Sequence, residues 1–232
     1  MQQLKNQSLE PTVVSETVSD QLFRRIYHAI ITLELAPGAK ISETEVARQF
    51  SVSRQPVREA FATLGRLGFL SIRPQRATLV TKISDRAVKD ASFVRCALEL
   101  ACFKEAMGNL TSANLDQLRD NLSKQSVALE KVDLGAFQFA DDQFHELICT
   151  IAGHGPVWKI VQGQKAHLDR ARFLSMTHDR QVAYDEHLAI LQAMEDGAVA
   201  KLEEIVTTHL TRLYRVLPRI RAAHGYYFED EA

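Results

Sequence analysis

Cysteine is scarce in this chain: Cys96, Cys102 and Cys149 are the three among 232 residues, and none is set in Cys-x-x-Cys spacing. That pattern argues against a disulfide framework or a zinc knuckle and makes buried core thiols in a reducing compartment the expectation. Long apolar runs are missing as well. Nothing approaches the roughly 18 residues a spanning helix needs, and the first residues show neither a basic-then-apolar leader pattern nor an Arg-rich transit pattern. A cytoplasmic protein with no membrane partner is expected. Internal repeats and low-complexity segments are absent, and no convincing strand pattern follows Ser84. Net charge is nearly absent at -1 but unevenly shared: residues 15–83 carry ten Lys/Arg against six Asp/Glu, residues 84–232 seventeen against twenty-two. One part of the chain is thus suited to a polyanion and the other is not. With 46% hydrophobic residues, packed cores are well supplied.

Residues 1–14 are polar and aperiodic and read as a mobile tail. Leu22, Ile26, Ile30 and Leu33 then recur at helical spacing up to the turn signal Ala36-Pro37-Gly38, predicting a helix from Val18 to Leu35. Ser42 with Glu45 three residues on is a capping-box pattern, opening a short helix through Phe50. Ser51-Val52 is a tight turn, Ser53 is placed to cap the next helix, and Pro56 is tolerated in a first turn whose amides have no intrahelical acceptor. That helix runs to Leu67 and stops at Gly68. "FLSIRPQRATLV" then reads as two strands, Leu70–Ile72 and Thr78–Val80, with a basic tip at Arg73 to Arg76. Three helices and a basic hairpin make residues 15–83 a winged helix-turn-helix. Six helices are expected in residues 84–225, near 85–107, 112–131, 133–152, 156–175, 178–195 and 198–221, with Pro218 kinking or ending the last and residues 226–232 left as a C-terminal tail. The fold class is mainly α: the winged head followed by an all-α antiparallel helical bundle.

On a wheel of residues 53–67, Val57, Ala60, Leu64 and Leu67 share one arc, while Gln55, Arg58, Ala62 and Arg66 take the other with Arg54 at its edge. The charges alone suit a solvated face as well as a surface lying on DNA. Their setting, after a short helix and a three-residue turn and before a basic hairpin, is that of a helix that enters the major groove. "ISETEVARQFSVSRQPVREAFATLGRLGFLSI" closely resembles the DNA-binding domain of the GntR family of bacterial transcription regulators. The resemblance implies operator contacts by Ser53, Arg54, Gln55 and Arg58, a phosphate-facing position for Thr44, and a wing contact by Arg76. The family commonly has glycine where Ala77 stands, and the added methyl is expected to hold the wing tip further from the minor groove.

In the bundle, "ADDQFHELI" puts Asp141 and His145 at i and i+4 on one helix face, within reach of a common metal. His187 and His209 each sit beside apolar residues at core spacing, so their rings are expected to point inward. From spacing alone, buried hydrogen-bonded histidines fit as well as a metal site. Residues 84–225 also look like the FCD ligand-binding domain of the FadR subgroup, with "FVRCALELACFKEA" as its first helix. That resemblance implies a divalent ion held by Asp141, His145, His187 and His209, with zinc, nickel or manganese all compatible with three nitrogens and one oxygen. It also implies a small carboxylate effector assisted by arginine. Arg95 matches the first-helix arginine, and Arg170 and Arg172 stand two apart, so at most one of that pair faces the cavity. The expectation is a homodimeric regulator, most often a repressor, that binds double-stranded operator DNA and senses a small organic or sugar acid. Two other readings stay open: a metal-free regulator responding to acyl-CoA or lipid, and a metal-dependent hydrolase or isomerase with a DNA-binding head. The enzyme would need a base near the ion, and Glu146 and Glu186, each adjacent to a ligand, are expected to point away.

Overall fold

The computed structural model of the protein describes residues 17–73 and 76–230, without the side chains of 166 and 176–179. The expected tail at 1–14 and the wing-tip residues Pro74 and Gln75 lie outside it. The chain divides into two compact units: one gathers the described residues up to Asp85 together with those from Arg221 onward, and the other is Arg86–Ile220.

In the first unit, α1 (Val18–Ile31) opens on a capping box in which the Thr17 hydroxyl accepts from the Asp20 amide and the Asp20 carboxylate accepts from the Thr17 amide. It buries Leu22, Ile26, Ala29 and Ile30, one stripe at helical spacing. The helix ends before the expected Leu35, because Leu33 adopts a left-handed φ of 58° and Glu34 turns back to pair with Arg25 at 2.8 Å. β1 (Lys40–Ile41), two residues long and without a sequence signal, precedes α2 (Glu43–Gln49) and α3 (Arg54–Arg66). Ser42 and Ser53 occupy the N-cap positions of α2 and α3, but neither side chain makes a capping hydrogen bond. α3 stops as expected: Gly68 takes a φ of 79°, its amide donates to Gly65 and the Phe69 amide donates to Leu64, the double closure of a Schellman motif. β2 (Leu70–Ser71) and β3 (Thr78–Val80) pair antiparallel, and β1 adds to the other side of β3, giving the order β1-β3-β2.

The last described residues belong to this unit and are not a free tail. The Ile83 amide donates to Tyr227, the Glu229 amide donates to Ile83, and Phe228 is fully buried. Arg221 pairs with Asp85 at 2.9 Å and lies over the Phe228 ring. The apolar Phe228 needs a core, and the extended backbone around Ile83 supplies both packing and hydrogen bonds.

The second unit is built from α4 (Asp85–Gly108), α5 (Ser112–Glu130), α6 (Leu134–Ile151), α7 (Gly155–Glu195) and α8 (Val199–His224). All five contribute to one apolar core that includes Phe103, Leu118, Phe144, Trp158, Ile190, Leu202 and Leu210. The expected break between the helices near 156–175 and 178–195 does not occur. Residues 155–195 form one helix of 41 residues, because polar side chains alone do not end a helix when neither glycine nor proline interrupts it. α8 likewise runs through Pro218 to His224.

Candidate functional site

Two sets of expected residues are placed by this fold. On the head, α3 buries Val57, Ala60, Phe61 and Leu64 and turns the opposite face outward. Thr44, Ser53, Arg54, Gln55, Arg58 and Arg76 are all exposed. Arg54 and Arg58 share Glu43 of α2 at 3.6 and 3.7 Å, and Gln55 donates to Glu59 at 2.9 Å. These contacts between exposed groups are weak. They leave a front of long donors around the small residue Ala62.

In the bundle, His145 of α6, His187 of α7 and His209 of α8 converge in a buried cluster whose ligand nitrogens all lie within 4.8 Å of one another. The Nε2 atoms of His187 and His209 are 3.3 Å apart, and those of His209 and His145 3.2 Å. The other nitrogen of each ring faces an oxygen. His187 Nδ1 is 2.8 Å from Gln125 Oε1, His209 Nδ1 is 2.7 Å from Glu186 Oε2, and His145 Nδ1 is 2.6 Å from Glu99 Oε2.

The direction of these bonds fixes where the protons are. The Ala140 carbonyl accepts only, so Asn121 Nδ2 donates to it at 3.0 Å and Asn121 Oδ1 accepts from Gln125 Nε2 at 2.8 Å. Gln125 Oε1 is then the acceptor for an Nδ1–H on His187, whose Nε2 carries a lone pair. Glu186 assigns the same tautomer to His209. Burial, helped by His145, Arg172 and Arg95 and opposed by Asp141, lowers the His187 imidazole to about 3. Burial and the neighbouring rings hold His209 well below its usual range. The His187 and His209 rings are neutral, and their Nε2 lone pairs point at one another with no proton between them. A cation resolves that arrangement: nitrogens held at about 2.1 Å from one ion lie about 3.0–3.4 Å apart at octahedral to tetrahedral angles. The donor set therefore fits a divalent metal. Aromatic rings wall the site, with Phe144 stacked on His187 at 4.4 Å and Trp158 parallel to His145 at 6.3 Å.

Asp141, the expected fourth ligand, is buried next to the triad with Oδ1 3.9 Å from His187 Nε2, but it is not one of the mutually close ligand atoms. Both of its oxygens accept from Arg172, at 2.9 and 3.1 Å. Burial acts against its charge, yet Arg172 and the adjacent histidines hold its carboxyl well below the usual range. Arg95 donates to Glu99 at 2.6 Å. Burial again opposes the charge, and Arg95 and His145 keep Glu99 at about 2.

A cavity of about 50 Å³ adjoins the site, lined by Arg95, Arg172, Arg180, Arg212 and His209 among others. Arg172 lines it and Arg170 does not, as expected for residues two apart on a helix. Arg180, Arg212, Glu99 and Gln125 were not singled out from sequence, since no local motif marks a residue that acts across helices. Glu186 departs from its expected orientation. It does turn from His187, its neighbour in sequence, but onto His209 of α8, where it holds the outer side of that ring.

Residues 18–80 match the family model of bacterial regulatory proteins of the gntR family, and residues 90–212 match that of the FCD domain. The HTH-type transcriptional repressor RspR of Escherichia coli is 36% identical over 96% of this chain and 97% of its own length. The gluconate operon transcriptional repressor of Bacillus licheniformis is 28% identical over 72% of this chain and 68% of its own. Among solved structures, Escherichia coli McbR/YncC superposes with a TM-score of 0.71 at 22% identity, covering 90% of this chain and 99% of that one, a likeness of fold.

Proposed function

Because the chain belongs to the gntR family of bacterial transcription regulators and carries an FCD domain, we propose that it is a metal-containing repressor that releases or rebinds operator DNA in response to a small organic or sugar acid. DNA-binding transcription regulation follows from the family. The metal, the acid and the residues that serve them are the proposal.

The observation that carries it is the convergence of three buried imidazoles, with the outer nitrogens of His187 and His209 hydrogen-bonded to oxygens and that of His145 2.6 Å from Glu99. His145, His187 and His209 would hold zinc, nickel or manganese, with Asp141 joining as the fourth ligand once Arg172 shares its carboxylate. The ion would supply a Lewis-acidic site for a carboxylate oxygen. Glu99, Gln125 and Glu186 orient the rings, and the aromatic wall excludes water and strengthens the charge interactions inside. The cavity beside the triad is small, about 50 Å³. That size favours a compact acid over an acyl chain. The acid's preference for one arrangement of the protein would set the response, as population shift requires. On the head, Ser53, Arg54, Gln55 and Arg58 would read the major groove of a two-fold operator bound by a homodimer, with Thr44 and Arg76 on the backbone. Glu186 is engaged with His209 and Arg212, which leaves a hydrolase reading without its nearest base.

Elemental analysis of protein purified without chelator should find one divalent ion per chain, and His187→Ala should lose it. Metal-free protein that still responds to acids would overturn the proposal. A thermal-shift screen of organic and sugar acids on metal-loaded protein then identifies the effector.

A further inference from the structure

Four arginines line the cavity beside the histidine triad, and three of them have a carboxylate of the protein as partner: Arg95 has Glu99, Arg172 has Asp141 and Arg212 has Glu186. Arg180 differs. Its Nη1 is buried without a hydrogen-bond partner, and among the described residues it forms no ion pair. A guanidinium nitrogen removed from water and given no acceptor is costly unless something else supplies the acceptor.

The continuity of α7 decides where Arg180 stands. At 100° per residue, Arg180 and His187 lie within about 20° of each other on the same helix face, about 10 Å apart along the axis. Helical side chains all lean toward the N-terminus, so both side chains tilt the same way and keep that offset. A ligand with one anionic group at the triad thus has a second positive group further along the same face, and among the described residues that group is the cavity arginine without a carboxylate partner.

We propose that Arg180 is the specificity residue of the cavity and that the effector is a compact dianion, with one carboxylate at the triad and a second acidic group on the Arg180 guanidinium. This rests on the metal-and-acid reading above and narrows its ligand class from small acids in general to those with two negative charges. A planar guanidinium takes such a carboxylate through two parallel hydrogen bonds, which a neutral amide cannot reproduce.

The test uses the full-length, metal-loaded protein and three pairs of probes: malonate, succinate and glutarate, each against its monoamide, which keeps the shape and removes one charge. Isothermal titration should show the best dianion binding at least about tenfold more tightly than its monoamide. Arg180→Gln should shrink that ratio below about threefold while leaving metal content and monoamide affinity unchanged, and Arg180→Lys should restore part of it. Equal affinity within each pair in the unaltered protein, a preference that survives Arg180→Gln, or no binding by any of the six overturns the inference. The underlying reading fails differently, through absence of stoichiometric metal or of any thermal response to organic and sugar acids. Binding by monocarboxylic acids alone removes only the Arg180 assignment.

Discussion

Gln125 shows how much of the triad depends on a residue that would never touch an ion. It is fully buried, and its carbonyl oxygen faces His187 only because its amide nitrogen is committed to Asn121, itself committed to the Ala140 carbonyl. Gln125→Leu should leave the helices intact by circular dichroism but lower metal affinity about 10–100-fold in a chelator competition, the usual effect of removing an orienting partner. Gln125→Glu, which keeps the acceptor for His187 but loses the donor to Asn121, should lose less affinity than Gln125→Leu. The neutral imidazoles also make stability depend on pH. His187 is lowered to about 3 and His209 well below its usual range, whereas both take up protons below about 6.5 when unfolded. The unfolded chain then binds more protons than the fold, so stability rises with pH across that window and falls on acidification. In chelator-treated protein, denaturant unfolding between pH 6.5 and 5 should lose up to about 1.4 kcal/mol per pH unit for each imidazole. A flat profile would contradict the buried neutral assignment.

Among the elements, the closing segment after α8 has a role that its composition conceals. Phe228 is fully buried and the backbone on either side of it is hydrogen-bonded to Ile83. Phe228→Ala should cost about 3–5 kcal/mol of stability in the unit containing α1–α3, the range for emptying a buried aromatic site. Thermal unfolding monitored in that unit measures it, and a loss below about 1 kcal/mol would mean the segment is only loosely attached. α7 makes the opposite point about length. Read as two helices, it leaves the relative orientation of Arg172, Arg180 and His187 free; as one helix it fixes all three within about 80° of arc.

For the molecule as a whole, α8 is the element the two units share: it carries His209 of the triad and continues to Arg221, which pairs with Asp85. DNA binding is the readout of the whole protein. Arg58 is 61% exposed and its ion-pair partner among the described residues, Glu43, stands 3.7 Å away, so its guanidinium is available at little cost. Arg58→Ala should weaken operator binding by about 1–3 kcal/mol at matched salt and leave the oligomeric state unchanged. Gel-shift affinity equal to that of the unaltered protein would remove α3's outer face as the recognition surface.

Local chemistry carried a large part of this protein in its sequence. The apolar stripes of α1 and α3, the glycine stop at Gly68, the breaks near Gly108, Val132, Gly153 and Gly197, and the inward-facing histidines are all properties of neighbours along a helix. Spacing marked His187 and His209 as inward residues and set His145 on one face with Asp141, but whether they met was a question of packing. What tertiary structure decided was each interaction between distant segments: β1 against β3, Phe228 on Ile83, Glu99 and Gln125 behind the histidine rings, Glu186 on a ring of the next helix, and Arg172 on Asp141. The unbroken α7 belongs here too, because a polar stretch with weak local preference is held helical by the core on both sides of it. Periodicity reports which face of an element is buried; only packing reports what that face meets, and the triad and its cavity are made of such meetings.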